Sequence, residues 1–227
     1  PQHMGEQFDC IVSNPPYSIP WDGDANAILI NDERYAPAGV LAPKTKADLA
    51  FTMHMLYHLA ETGTATIVEF PGVLYRGGAE KQIRKYLVDN NYVDTIIQLP
   101  ANLFFGVGIA TCIIVLKKSA KKDNSILFLD ASNLFKKEGN KNRMMPEHQD
   151  AVVNAVAERK DEQYFTKLVS CDDVAANDYN LSVSSYVEKE VIKDEIDIDA
   201  VNAEINELMA KAVTLNDEIN KIIKELK

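Results

Sequence analysis

The chain has 227 residues, 24 Lys+Arg against 34 Asp+Glu, a formal net charge of −10, and 46% hydrophobic and 26% charged residues. These values fit a soluble globular protein and exclude a disordered chain, a collagen repeat and a disulfide-stapled miniprotein. The acidic balance argues against a protein that holds nucleic acid by a broad basic surface alone. Cys10, Cys112 and Cys171 form no C-x-x-C pair, so neither a metal site nor a disulfide framework is expected, and an odd thiol count fits a reducing cytosol. No apolar run approaches about 20 residues, and Pro1-Gln2-His3-Met4 lacks the charged and apolar regions of a signal peptide.

In chain order, Phe8–Ser13 reads as a buried strand ended by Asn14-Pro15-Pro16. Ala47 to Glu61 follows as a helix, with Leu49, Met53, Leu56 and Leu59 on one face. Thr64–Phe70 is a second strand, ended by Pro71-Gly72, and Ala79 to Asn90 a second helix. Tyr92–Leu99 and Thr111–Leu116 are third and fourth strands. Strand, helix, strand, helix, strand is the pattern of a parallel sheet with covering helices. The stretch from Ala101 to Ala110 is too short for a crossover helix, so the fourth strand is expected antiparallel to the third.

Between Lys117 and Arg143 stand eight basic residues and three acids, around a short strand at Ile126–Leu129. Residues 146 to 165 read as helical, and Cys171 to Val187 as polar and irregular. From Glu188 to Lys227 there are eleven acids and six bases, without Gly or Pro. There Val201, Ile205, Leu208, Ala212, Leu215, Ile219, Ile222 and Leu226 step alternately by four and three residues, an a/d heptad seam. Such a helix needs a partner from its own chain, a second copy or a different protein.

Asn14-Pro15-Pro16-Tyr17 is the motif that carries chemistry. A residue before proline is pushed to extended geometry, so Asn14 leaves the strand with its amide projecting from the sheet. The prolines fix the turn and remove two N–H donors, leaving the Pro15 carbonyl with few local partners. The Asn14 side-chain oxygen and that carbonyl make two acceptors for a planar –NH₂ group, and Tyr17 adds a ring for stacking. An amine conjugated to an aromatic ring is a poor nucleophile. Acceptors on both its hydrogens draw the nitrogen toward tetrahedral geometry and localise its lone pair, without a conventional general base. The carboxyl ends of parallel strands are also where α/β sheets place ligands.

Phe8-Asp9-Cys10-Ile11-Val12-Ser13-Asn14-Pro15-Pro16-Tyr17 resembles the catalytic motif of S-adenosylmethionine-dependent methyltransferases acting on adenine N6. Phe70 to Glu80, Ile83 to Leu87, Leu99 to Gly106, Thr111 to Lys118 and Asn177 to Leu181 are similar to the modification (M) subunit of type I restriction–modification systems. The likeness covers residues 6 to 187. It implies an α/β fold, the C-terminal half of a Rossmann-like methyltransferase sheet with parallel strands plus one antiparallel strand, followed by a coiled-coil helix. The domains expected are a partial catalytic domain over 1–187 and an assembly helix over 188–227.

The resemblance also implies roles. Asn14 and Pro15 would accept the amine hydrogens of a flipped-out adenine, Pro16 would complete the rigid catalytic turn, and Tyr17 would stack on the base. Phe104 or Phe105 would cover the other face of the base. S-adenosylmethionine is the implied cofactor. The family's glycine-rich cofactor loop and ribose-binding acid lie upstream of the N-P-P-Y turn and are not in this chain, so no cofactor-binding residue is assigned and the chain is expected to be an inactive C-terminal fragment. Phe8–Ser13 is then expected at a sheet edge. The implied partners are DNA and the specificity and restriction subunits of a cytoplasmic complex, with a homodimer as a further possibility. A protein-glutamine or RNA amine methyltransferase, and a non-catalytic assembly module working through the heptad tail, stay open as alternatives.

Other patterns read more plainly. Asp22, Asp24, Asn26 and Glu33 fall at four positions of a calcium-loop pattern, but Ala27 stands where its glycine belongs and no helix can enter it, so a solvated loop is expected. His54 and His58 lack the glutamate of a zinc-peptidase helix and are read as packing. Gly77-Gly78 is read as a tight turn. The basic excess of Lys117–Arg143 either contacts phosphates or is a solvated face.

Overall fold

The computed structural model describes residues 3–121, 123–190 and 198–225, in two compact units, 1–189 and 190–227. Six strands build one sheet in the first unit. They are β1 (Phe8–Ser13), β2 (Leu59–Glu69), β3 (Val93–Gln98), β4 (Cys112–Lys117), β5 (Ser125–Asp130) and β8 (Thr166–Ser170), in the order β1-β2-β4-β3-β5-β8. β1 runs parallel to β2 and β3 parallel to β5, while β4 is antiparallel to both its neighbours and β8 to β5. The expected α/β class and the antiparallel fourth strand are present. β4 inserts between β2 and β3, so these two do not touch, and β8 adds a second antiparallel strand.

These directions bring the carboxyl ends of β1, β2, β3 and β5 to one rim. The segments leaving that rim carry the N-P-P-Y turn, the Phe70-Pro71-Gly72 turn, the Phe104-Phe105 corner and a small hairpin, β6 (Lys136–Glu138) with β7 (Lys141–Arg143).

Helices α1 (Asp48–His58) and α2 (Ala79–Asp89) cover one face, burying Leu49, Met53, Leu56, Ile83 and Leu87 against Ala65, Ile67, Ile96, Ile114, Leu116 and Phe128. Helix α3 (Pro146–Glu158) lays Val152, Ala155 and Val156 against Ile97, Val115 and Leu129 on the other. The helix read over 146–165 stops at Glu158, because Arg159 turns left-handed (φ 50°) and sends its guanidinium to the Asp94 carboxylate, 3.1 Å away. Asp94 is buried and also pairs with Lys117 at 3.3 Å. The 171–187 segment is more ordered than its polarity indicated. Ser170 caps a short helix, α4 (Cys171–Ala176), and Leu181, Val183 and Val187 are buried, with Tyr186 stacked on Phe128 at 4.1 Å.

β1 is an edge strand, paired among the described residues with β2 alone, and Val12 on it is 78% exposed. Gly63 lets the two strands meet: a Cβ there would lie 2.9 Å from the Phe8 carbonyl and 2.7 Å from Leu59. In the second unit, α5 (Ile198–Glu225) is one 28-residue helix. Its seam residues from Val201 to Ile222 are exposed, while Leu226 lies outside the described residues. Among the described residues, no helix is long and apolar enough to cross a membrane.

Arg84 ties the distant motifs together. Its guanidinium, 2% exposed, donates to the Val73 carbonyl and the Tyr179 carbonyl, each at 2.9 Å, and burial lowers its pKa to about 10. The Leu181 N–H donates to the Leu74 carbonyl at 2.8 Å beside it. This is why Phe70–Glu80 and Asn177–Leu181, a hundred residues apart, belong to one structure. Arg84→Met should leave two buried carbonyls without donors and lower the unfolding free energy by about 2–4 kcal/mol. Urea denaturation measures this, and an unchanged midpoint would contradict the role given to Arg84.

Candidate active site at the carboxyl rim

The site begins where β1 ends. Asn14 is exposed, Pro15 buried, Pro16 exposed and Tyr17 half-buried, so the turn is anchored by one proline while its polar ends stay at the surface. No described group donates a hydrogen bond to the Pro15 carbonyl. The Tyr17 hydroxyl donates to the Asn14 Oδ1 at 2.9 Å, so one of the two acceptors is held internally. Burial, the nearby Glu69 carboxyl and the Cys112 thiol together push the Tyr17 phenol above its ordinary value.

Ser18, next in the chain, sits in the left-handed region (φ 50°), a conformation that costs a non-glycine residue of order 1 kcal/mol or more. Its N–H donates to the Asp48 Oδ1 at 2.7 Å. That bond, from the first residue of α1, holds the turn against the sheet.

Behind the turn lies a buried acidic pair that sequence reasoning missed. Asp48 is 1% exposed and Glu69, the last residue of β2, 0%. The Thr52 hydroxyl, one helical turn after Asp48, donates to the Glu69 Oε1 at 3.0 Å. The Asp48 Oδ2 and the Glu69 Oε2 have no hydrogen-bond partner among the described residues. Burial first, and then the Asp48 carboxylate, push the Glu69 carboxyl up to about 8, so it holds its proton at neutral pH. A protonated Glu69 removes one buried negative charge from this pair, which lowers the cost of its burial. Burial and Glu69 likewise raise the Cys112 thiol, whose Sγ lies 3.5 Å from the Glu69 carbonyl. A carboxylate closing an otherwise apolar strand was the signal available in Ile67-Val68-Glu69-Phe70.

The two phenylalanines separate. Phe104 packs, half-buried, against the Ile97–Leu129 cluster, while Phe105 is 97% exposed. Beyond Phe70, the Arg76 guanidinium lies over the Phe70 ring at 4.9 Å and fills the space above Gly72, where a Cβ would come within 2.4 Å of it. This glycine turn after a strand is therefore occupied by protein and offers no phosphate cradle. Gly78 makes the turn into α2 at φ 67°.

The plainer readings also have places. The Glu33 carboxylate accepts from the Tyr57 hydroxyl at 3.1 Å, and the Asn26 amide oxygen from the Ile28 N–H at 3.2 Å, each bonded within its own surroundings. His54 and His58 pack edge to face at 4.7 Å. Among the described residues, no group of three or more His, Cys, Asp or Glu side chains converges as metal ligands.

Residues 1–195 match the family described as N-6 DNA Methylase. Over 220 residues the chain is 48% identical to the type I restriction enzyme MpnII methylase subunit of Mycoplasma pneumoniae, covering 97% of this chain and 40% of that relative. It is 34% identical over 208 residues to the type I restriction enzyme MjaVIII methylase subunit of Methanocaldococcus jannaschii, covering 88% of this chain and 35% of that one. Among solved structures, the methyltransferase subunit of a type I restriction–modification system from Streptococcus thermophilus matches with a TM-score of 0.79 and 42% identity, over 83% of this chain and 40% of that one. The chain thus spans well under half the length of these relatives.

The buried carboxyl yields a pH dependence with a definite sign. The folded chain keeps the Glu69 proton up to about pH 8, whereas the unfolded chain loses it near 4.5. The folded state therefore binds more protons between these values, and stability falls as pH rises through that window. Urea titrations of the native chain and Glu69→Gln should diverge from about pH 5 to 8, the native chain losing on the order of 2–4 kcal/mol that the amide keeps. Parallel curves would mean that Glu69 is ionised throughout.

Proposed function

Since the chain belongs to the N-6 DNA methylase family, we propose that its carboxyl rim receives the target adenine in S-adenosylmethionine-dependent methylation of DNA, within the modification subunit of a type I restriction–modification complex. The observation that carries this reading is the Asn14–Tyr17 turn at the open rim, with an exposed side-chain oxygen, a carbonyl without a described donor and a half-exposed ring. An adenine drawn out of the duplex would place its amine between the Asn14 Oδ1 and the Pro15 carbonyl. Its hydrogens, bonded to these two oxygens, pull the lone pair out of the ring and toward the incoming methyl group. Tyr17 would stack on one face. Phe105 rather than Phe104 is assigned the other, since Phe104 is committed to the core. The Tyr17 hydroxyl occupies one of the two lone pairs of the Asn14 oxygen, and the second would take the amine hydrogen.

S-adenosylmethionine supplies the methyl group. The described residues do not present the glycine turn and ribose carboxylate expected for it, and the Gly72 turn is filled by Arg76. The 227-residue chain alone is accordingly expected to bind the cofactor more weakly than about 1 mM. Micromolar binding by isothermal titration would overturn that part of the proposal. The heptad seam of α5 is assigned to docking on the helices of a DNA-reading specificity subunit.

The test is methyl transfer by the assembled modification complex to duplex DNA, with RNA and peptide as alternative acceptors. Asn14→Ala should lower turnover by a factor of about 100 or more while leaving duplex affinity within a few-fold, the loss expected for a preorganised electrostatic contact. Tyr17→Phe, which frees the Asn14 oxygen and keeps the ring, should retain most activity. Tyr17→Ala should cost roughly 5- to 150-fold through lost stacking. Full methylation by Asn14→Ala would contradict the role of the turn.

A further inference from the structure

The β6–β7 hairpin is a charged element with no packing role of its own. Lys136, Lys137 and Glu138 are all exposed. In its register Lys136 lies directly opposite Arg143, and Glu138 opposite Lys141. Like charges directly opposite on a strand pair are destabilising, and a two-stranded ribbon this short does not hold itself together in water. The Glu138 carboxylate offsets part of the repulsion through Arg143, at 3.4 Å, but both groups are exposed and such pairs are worth little. What fixes the hairpin is the corner beside it. The Asn142 N–H donates to the Asn102 carbonyl at 3.0 Å, its side-chain amide to the Ala101 carbonyl at 2.8 Å, and the Lys141 ammonium to the Phe104 carbonyl at 3.2 Å. Lys141 also lies over the exposed Phe105 ring, 5.8 Å from its centre. Four cations in eight residues, on a chain of net charge −10, are therefore pinned to the corner that carries Phe105.

We infer that this hairpin grips the phosphodiester backbone of duplex DNA beside the extruded base, through Lys136, Lys137 and Arg143. The inference rests on reading the rim as a DNA-base site, and it adds the partner surface that the N-P-P-Y turn lacks. A phosphate placed between Lys136 and Arg143 turns their mutual repulsion into two attractions. The hairpin is bonded to the corner that carries Phe105, so the phosphates it contacts are those flanking the base that Phe105 covers. Lys141 and Asn142 are positioning residues, since they act by holding the hairpin to the Phe105 corner.

The experiment is fluorescence anisotropy of a labelled 20-base-pair duplex with the 227-residue chain, at salt concentrations from about 25 to 200 mM. Lys136→Gln/Lys137→Gln/Arg143→Gln is compared with the native chain and with Lys85→Gln/Lys160→Gln/Lys189→Gln, which removes equal charge outside the hairpin. None of these six side chains is buried, so folding, checked by circular dichroism, should be retained. The hairpin variant should lose about 2–3 from the slope of log K against log salt, and at least tenfold in affinity near 100 mM, while the other triple variant loses about 1 or less in slope. Equal losses in the two variants would overturn the hairpin assignment and leave the methylase reading standing. Absence of duplex binding by the native chain at the lowest salt would also overturn it, and the methylase reading would then be decided by the Asn14→Ala turnover measurement alone.

Discussion

A single steric constraint lies at the root of this site. Asn14 precedes a proline and so stays extended, and two successive prolines turn the chain without an N–H to satisfy. Everything chemical on the rim is set relative to that corner. The turn is held by the Ser18 N–H bonded to Asp48, across a left-handed residue that would not keep its conformation unaided. Asp48 in turn is buried with a Glu69 that burial keeps protonated. The strained residue at the surface is thus held by a hydrogen bond to a buried carboxyl beneath it. This arrangement explains why an acidic residue ends a strand whose other inward positions are apolar.

The same rim gathers parts from most of the first unit. Because β4 runs antiparallel between β2 and β3, the loop joining β3 to β4 lies at the carboxyl edge and places Phe105 on the same rim as the β1 turn. Arg84 fixes the Phe70–Arg76 turn to the Tyr179 segment. The remaining flank is the basic hairpin, bonded to the Ala101–Phe104 corner. Acceptors, flat rings and cations therefore all stand on segments that leave one edge of the sheet. At the far end of the sheet β1 pairs, among the described residues, with β2 alone, and Val12 on it is exposed.

Much of the sheet was legible in the sequence, since β-branched runs ended by proline or glycine mark strands. Phe8–Ser13, read as buried, has no buried residue because its strand lies at the sheet edge. β2 begins at Leu59 rather than Thr64, because the helical stripe before it ends in residues that serve either periodicity. β8 escaped notice because Thr166–Ser170 is short and only half apolar, and pairing with β5 alone makes it a strand. The hairpin escaped for the same reason: Lys-Lys-Glu and Lys-Asn-Arg have no strand propensity and are ordered by hydrogen bonds to a corner about forty residues earlier. Of the candidate site, Asn14, Pro15, Pro16 and Tyr17 were readable because their geometry is local. Asp48 and Glu69 were not, because each is unremarkable until the fold buries the two together.

By itself, then, the chain's order of residues determined what neighbouring atoms can decide: the rigid turn, its acceptors, the strand-forming runs and the heptad spacing of α5. Tertiary structure alone decided which phenylalanine is free and which is core. It also decided that β4 separates β2 from β3, that Glu69 keeps its proton, and that a hairpin of like charges stands beside the site. Exposure, dielectric and strand order depend on contacts between residues far apart in sequence, and no local pattern encodes them.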